Sequence, residues 1–171
     1  TFNEADVVKR MGLLRQALSA FEAAGYVERQ GVVTHNLALV YNDLGLARRA
    51  RRLLLQAADI YRRTGAIGSL SVTLWVLSEL AAEAGDLRAS RAYVEEAITL
   101  AEAVGDVRSA SYRPLGLGRL ALAEHDHALA IAKLTEASDI LGGHDADALH
   151  VSTLTLLARA HLEAGDAVGA L

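Results

Sequence analysis

No cysteine occurs in the 171 residues, which removes disulfides, thiolate metal sites and cysteine nucleophiles and makes a reducing, cytoplasmic compartment the expected setting. Proline occurs once and phenylalanine twice. No apolar run approaches the ~20 residues needed to span a bilayer, so no membrane partner is expected. Charge of one sign is not in excess either: 17 Lys and Arg against 21 Asp and Glu leave −4, with no general attraction to nucleic acid or anionic lipid. The opening stretch, TFNEADVVKR, has neither an initiator methionine nor the apolar core of a signal peptide, as expected of a segment excised from a longer protein.

What the chain does have is Ala and Leu, within a hydrophobic content of 52%. With so little proline, that composition predicts an all-α protein. Gly is frequent, 14 residues, but it recurs at regular boundaries more than inside the apolar stretches, which marks it as helix punctuation.

The boundaries recur at a fixed spacing. Gly45 aligns with Gly85, His125 and Gly165, and Gly25 aligns with Gly65, Gly105 and Asp145. Leu37, Leu77, Leu117 and Leu157 form one column, and Ala17, Ala57, Ala97 and Ala137 another. A period of about 40 residues predicts a stacked array of helix pairs. The units are 1–25 (partial), 26–65, 66–105, 106–145 and 146–171 (partial), read as one repeat domain over 1–171. The links between apolar stripes are short, so neighbouring helices are expected to run antiparallel.

Asp6, Asp86, Asp126 and Asp166 share a column where a short carboxylate caps a helix N-terminus. Gly followed at once by Asp couples a left-handed helix end to the next cap, which accounts for the short turns. In the first, partial unit the apolar stripe is Leu13, Leu14, Ala17, Leu18 and Phe21. The third full unit is irregular, with Pro114, Gly116 and Gly118 inside a helical span. An interior proline costs about 3 kcal/mol, so a late helix start near Ser111 or Tyr112, or a kink, is expected there. Both partial end units are expected to expose apolar flanks that favour self-association.

The pairs Leu37-Ala38, Leu77-Ser78, Leu117-Gly118 and Leu157-Ala158 place a large residue before a small one where helices cross. With Tyr41, the turns at Gly45, Gly85 and Gly165, and the small column Ala50, Ser90, Ala130 and Ala170, they resemble the tetratricopeptide repeat family over the whole chain. That resemblance implies an α-solenoid, a right-handed superhelix of antiparallel helix pairs, with partner binding in a concave groove lined by the first helix of each pair. The unit is longer than the family's usual ~34 residues. In that length and its Gly-Asp turns it is similar to the MalT-like repeat regions of bacterial signal-transduction regulators. This implies a sensor or protein-interaction segment with a protein or peptide as partner.

The groove-facing columns expected on the first helices are His35, Leu39, Asn42 and Asp43; Trp75, Glu79, Ala82 and Glu83; Tyr112, Leu115, Arg119 and Leu122; and Thr155, Arg159, Leu162 and Glu163. Of these, His35, Leu39, Asn42, Trp75, Glu79, Tyr112, Arg119, Thr155 and Arg159 are the candidate partner-binding residues. Trp75 and Tyr112 are candidate aromatic anchors, and Arg119 and Arg159 candidate carboxylate partners. Trp75 equally suits packing between repeats. The Lys/Asn pattern with which chaperone-binding family members hold a terminal carboxylate is absent.

Arg48, Arg49, Arg51, Arg52, Arg62 and Arg63 concentrate on a second helix and read as a solvated face, so nucleic acid is not expected to bind this segment. His125-Asp126-His127 falls in a turn, about a helix length from His144, Asp145, Asp147 and His150, so no metal site is expected. His161 is read as a packed inter-helix residue. With no phosphate-binding loop, no nucleophile elbow and no cofactor motif, the chain is not expected to be an enzyme. A small-effector or signalling-peptide receptor and an oligomerisation or spacer segment are the alternatives to a scaffold.

Overall fold

The computed structural model describes residues 4–104, 109–142 and 148–165. Gly105, Asp106, Val107, His144, Asp145, Asp147, Asp166 and Ala170, which carry several of the expectations above, lie outside the described residues. Among the described residues there are eight helices and no strand. The chain divides into two compact units, Thr1–Leu80 and Ala81–Leu171, with the boundary inside a helix.

The first unit holds α1 (Glu4–Ala23), α2 (Val27–Asp43), α3 (Ala47–Thr64) and most of α4 (Ile67–Glu83). Only Leu44, Gly45 and Leu46 separate α2 from α3, which leaves room for nothing but a reversal of direction. Accordingly Gly31, early in α2, meets Tyr61, late in α3: a Cβ on Gly31 would lie 2.8 Å from Tyr61 Cε1. Leu37, Ala38, Leu54, Ala57, Leu74 and Leu77 are buried, so the repeated large and small columns are core here. Tyr41 is held from both sides, its hydroxyl accepting from Arg15 Nη2 at 2.8 Å and its ring lying 5.8 Å beneath the Arg49 guanidinium. On α1, Leu14, Ala17, Leu18 and Phe21 are half-buried, whereas Val8 and Leu13 are exposed.

The second unit holds the end of α4, then α5 (Leu87–Val104), α6 (Ser109–Ala123), α7 (His127–Gly142) and α8 (Ala148–Glu163). Leu115, Ala121, Leu122, Ala130, Leu134, Ala137 and Ala160 form its core between α6, α7 and α8. Gly118 lets α7 come close: a Cβ there would lie 2.7 Å from Leu134 Cγ.

Five of the described turns share one construction. The residue after each turn donates its N–H five positions back, as in Tyr26 to Phe21 (3.0 Å), Leu46 to Tyr41 (2.9 Å), Ala66 to Tyr61 (3.1 Å), Asp86 to Ala81 (2.8 Å) and Asp126 to Ala121 (2.8 Å). This geometry needs a left-handed residue just before the donor, and Gly25, Gly45, Gly65 and Gly85 supply it with φ between 72° and 78°. His125 supplies it at φ 60°, the one described non-glycine residue with positive φ. Asp86 and Asp126 then cap α5 and α7, accepting from Ala89 N at 3.0 Å and Leu129 N at 3.1 Å.

Three expectations are corrected. Asp6 does not cap α1, because the helix already runs from Glu4 and encloses it. Helix α6 is formed by Ser109, not Ser111 or Tyr112, so Pro114 sits in its second turn and deprives the Ala110 carbonyl of its helical donor. Leu115 and Leu122, expected on the groove, are 1% and 3% exposed, and Leu117 of the core column is 36% exposed. In α6 these two groove positions thus turn into the core against α7 and α8, and the usual core leucine turns out.

Candidate functional site

In the first unit, α2 and α4 frame a depression of about 260 Å³ lined by Val32, His35, Asn36, Tyr61, Gly68, Ser69 and Val72. Val72, 54% exposed, and the half-buried Val32 give it an apolar side. Its polar side is ordered. Thr73 Oγ1 donates to the Ser69 carbonyl at 2.7 Å, one helical turn back, which uses its single proton. At 3.0 Å from the same oxygen, His35 Nδ1 must therefore be the donor. Burial lowers the His35 pKa, favouring the neutral ring. A neutral imidazole protonated at Nδ1 keeps Nε2 as an acceptor. Tyr61, whose pKa burial raises, shares a side-chain hydrogen bond with Ser69.

Of the expected site residues in this unit, His35 lines the depression, and Leu39, Asn42 and Trp75 are half-buried while Glu79 is exposed. The indole nitrogen of Trp75 is shielded from solvent, which fits packing more than a free anchor. Val32, Asn36, Ser69 and Val72 fall outside the expected columns, although Val32 and Val72 stand one repeat period apart. A larger cleft of about 640 Å³ lies on the other side of α2, between α1 and α3, bordered by Glu22, Gln30, Arg52, Asp59 and Arg63. Arg63 of that cleft is paired with Asp59 at 3.1 Å. Each arginine of the basic concentration is exposed.

In the second unit, Arg119 Nη2 reaches Ser152 Oγ at 3.4 Å, linking α6 to α8. Tyr112 and Arg119 are half-buried, and Thr155 and Arg159 are exposed. Arg159 has a carboxylate already: its Nε donates to Glu163 Oε1 at 2.6 Å. That hydrogen bond is the main reason the Glu163 pKa is lowered.

The α6–α7 turn carries an arrangement that the expected columns separate. His125 and His127 stand beside Glu163 at the end of α8, with one potential ligand atom from each within 4.8 Å of the others. The residue beside this histidine pair is thus a glutamate expected on the groove. His150 contributes instead to packing, its Nε2 lying 3.2 Å from Ser138 Oγ of α7. His161 is half-buried.

Paired antiparallel helices joined by Schellman turns define a tetratricopeptide-like α-solenoid fold. Residues 29–103 match the tetratricopeptide repeat family model. BtubC (BKLC) from P. vanneervenii is similar in structure, with a TM-score of 0.69 and 19% identity over 97% of this chain and 72% of that one. A point variant of a Podosopora anserina protein, described as a kinesin light chain with nearly identical TPR-like repeats, gives 0.66 and 19% over 94% and 80%. A further structure of that Podosopora anserina protein gives 0.56 and 16% over 96% and 90%. No curated protein sequence matches the chain. Tetratricopeptide repeats in general bind proteins or peptides. Among the described residues, no helix is long and apolar enough to cross a membrane.

Proposed function

We propose that this chain is a non-catalytic protein-interaction segment that takes up a stretch of a partner protein on the face presented by α2 and α4. The depression between these helices carries this reading. Its volume of about 260 Å³ falls below the ~300–1,000 Å³ of small-molecule sites and suits one or two inserted side chains. Val32 and Val72 offer apolar contact, and His35 Nε2 with the Asn36 amide offers hydrogen bonds that would fix a peptide's register. The long repeat unit and its Gly-Asp turns support a place in a cytoplasmic bacterial regulator of the MalT-like kind. Exposed Val8 and Leu13 on α1, and Val151, Leu154 and Leu162 on α8, support self-association as a second contact. The net charge of −4 speaks against nucleic acid.

Peptides selected from a random display library against the chain test the reading. Val72→Glu and His35→Ala should each weaken a selected peptide by about tenfold or more, and Arg48→Glu on α3 should not. Peptides indifferent to both first-helix changes would overturn it. The small-effector alternative rests on the cleft of about 640 Å³ between α1 and α3, a size in the ligand range. Binding lost on Arg52→Glu rather than Val72→Glu would favour that reading.

A further inference from the structure

We propose that His125, His127 and Glu163 form a divalent metal site of the zinc class, clasping the α6–α7 turn to the end of α8. Four observations converge on it. One ligand-type atom from each side chain lies within 4.8 Å of the other two. Ligand atoms on a tetrahedral ion with bonds of ~2.0–2.2 Å stand about 3.3 Å apart, so closing the site takes shifts of about an ångström. Rotation of the exposed His125 side chain and of Glu163 supplies them.

His127 Nδ1 is shielded from solvent and makes no hydrogen bond; Glu163 Oε2 is 3.9 Å from it, too far for one. A shielded, unsatisfied ring nitrogen costs free energy unless something binds it. An ion between the two atoms would bind both.

Glu163 is oriented for this role. Arg159 Nε occupies Oε1 at 2.6 Å, leaving Oε2 toward the histidines. A charged donor holding the far oxygen of a ligating carboxylate is a common outer-shell device. The neighbouring carboxylates are engaged: Asp126 caps α7 through Leu129 N, and Glu124 pairs with Arg91.

The backbone adds the last observation. Gly25, Gly45, Gly65, Gly85 and Gly165 all hold the left-handed position of their turns, and among the described turns only this one places a side chain there. A residue with a Cβ is disfavoured in that conformation by about 1–2 kcal/mol. Strain kept at a single described copy of a repeated turn marks a local role.

Two imidazoles and one carboxylate, with no thiolate, suit Zn²⁺ and its neighbours and are poor for Mg²⁺ or Ca²⁺, which take oxygen ligands. Three protein ligands leave one position for water or a donor from outside the site.

The test uses the untagged chain, stripped with a chelator and titrated with ZnCl2 by calorimetry in a non-coordinating buffer. One ion per chain is expected, and Co²⁺ should give the intense visible bands of a tetrahedral site. His125→Gly restores the residue of the sister turns, so the fold is kept while affinity falls at least about tenfold; Glu163→Gln should do the same, and His150→Ala should not. The absence of saturable binding up to about 1 mM, or affinity unchanged in both His125→Gly and Glu163→Gln, overturns the proposal.

Discussion

His35 Nδ1 on α2 donates to Thr73 Oγ1 on α4 across 3.0 Å, and the threonine donates its own O–H to the Ser69 carbonyl at 2.7 Å. The chain of donors fixes the tautomer of a half-buried histidine from outside its own helix. It also makes the ring's neutrality part of the fold.

A pH dependence follows. Burial lowers the His35 pKa below its ordinary 6.5, so the unfolded chain binds the proton more readily than the folded one. Stability from His35 is complete above pH 6.5 and is lost as pH falls through the folded-state pKa. The urea midpoint of the metal-free chain should fall between about pH 7.5 and about pH 5, and His35→Gln should fall less. Equal losses in the two proteins would remove His35 from the account.

Two glycines are required for contact, not conformation. Adding a Cβ at Gly118 places it 2.7 Å from Leu134 Cγ and 3.3 Å from Leu134 N, and at Gly31 it lies 2.8 Å from the Tyr61 ring. Alanine at either site should cost about 1–3 kcal/mol in urea denaturation. Gly12, inside α1 with nothing within 4 Å, is the counter-case: Gly12→Ala should gain about 0.5–1 kcal/mol.

The capping aspartates should each be worth about 1 kcal/mol, since Asp86 and Asp126 satisfy otherwise unpaired N–H groups of Ala89 and Leu129. Asp86→Ala and Asp126→Ala should lower the melting temperature by similar amounts, with Asn substitutions close to wild type. Asp6, lying inside α1, should show no such loss on Asp6→Ala.

Tyr41 separates a hydrogen bond from a ring contact. Tyr41→Phe deletes the acceptor for Arg15 and keeps the ring under Arg49, so it should cost about 0.5–1.5 kcal/mol. Tyr41→Ala, which also empties a buried volume, should cost about 3–5 kcal/mol. Equal losses would assign the whole effect to the hydrogen bond, and no loss in Tyr41→Phe would assign it to packing.

Helix positions and turns were legible because each depends on local chemistry that recurs along the chain: apolar spacing, a left-handed glycine, a capping aspartate. The left-handed turn at His125 was legible for the same reason, by alignment with Gly45 and Gly85. Facing was less so. Gly116 and Gly118 carry no side chain to mark a face of α6, and packing against α7 and α8 chose Leu115 and Leu122 for the core. The approach of Glu163 to His125 was hidden for another reason. They stand nearly one full period apart in the sequence, and such residues become neighbours only when consecutive turns lie side by side.

The turned face of α6 bears on how this chain would be idealised. Averaging its copies into one consensus unit would point position 117 inward and position 115 outward, as in the regular copies. The averaged protein would be built of good repeats, yet it would have exchanged the buried leucines of this copy for a surface the natural chain does not have. Here the individuality of one copy is carried by rotation about a helix axis, a property that column averages erase.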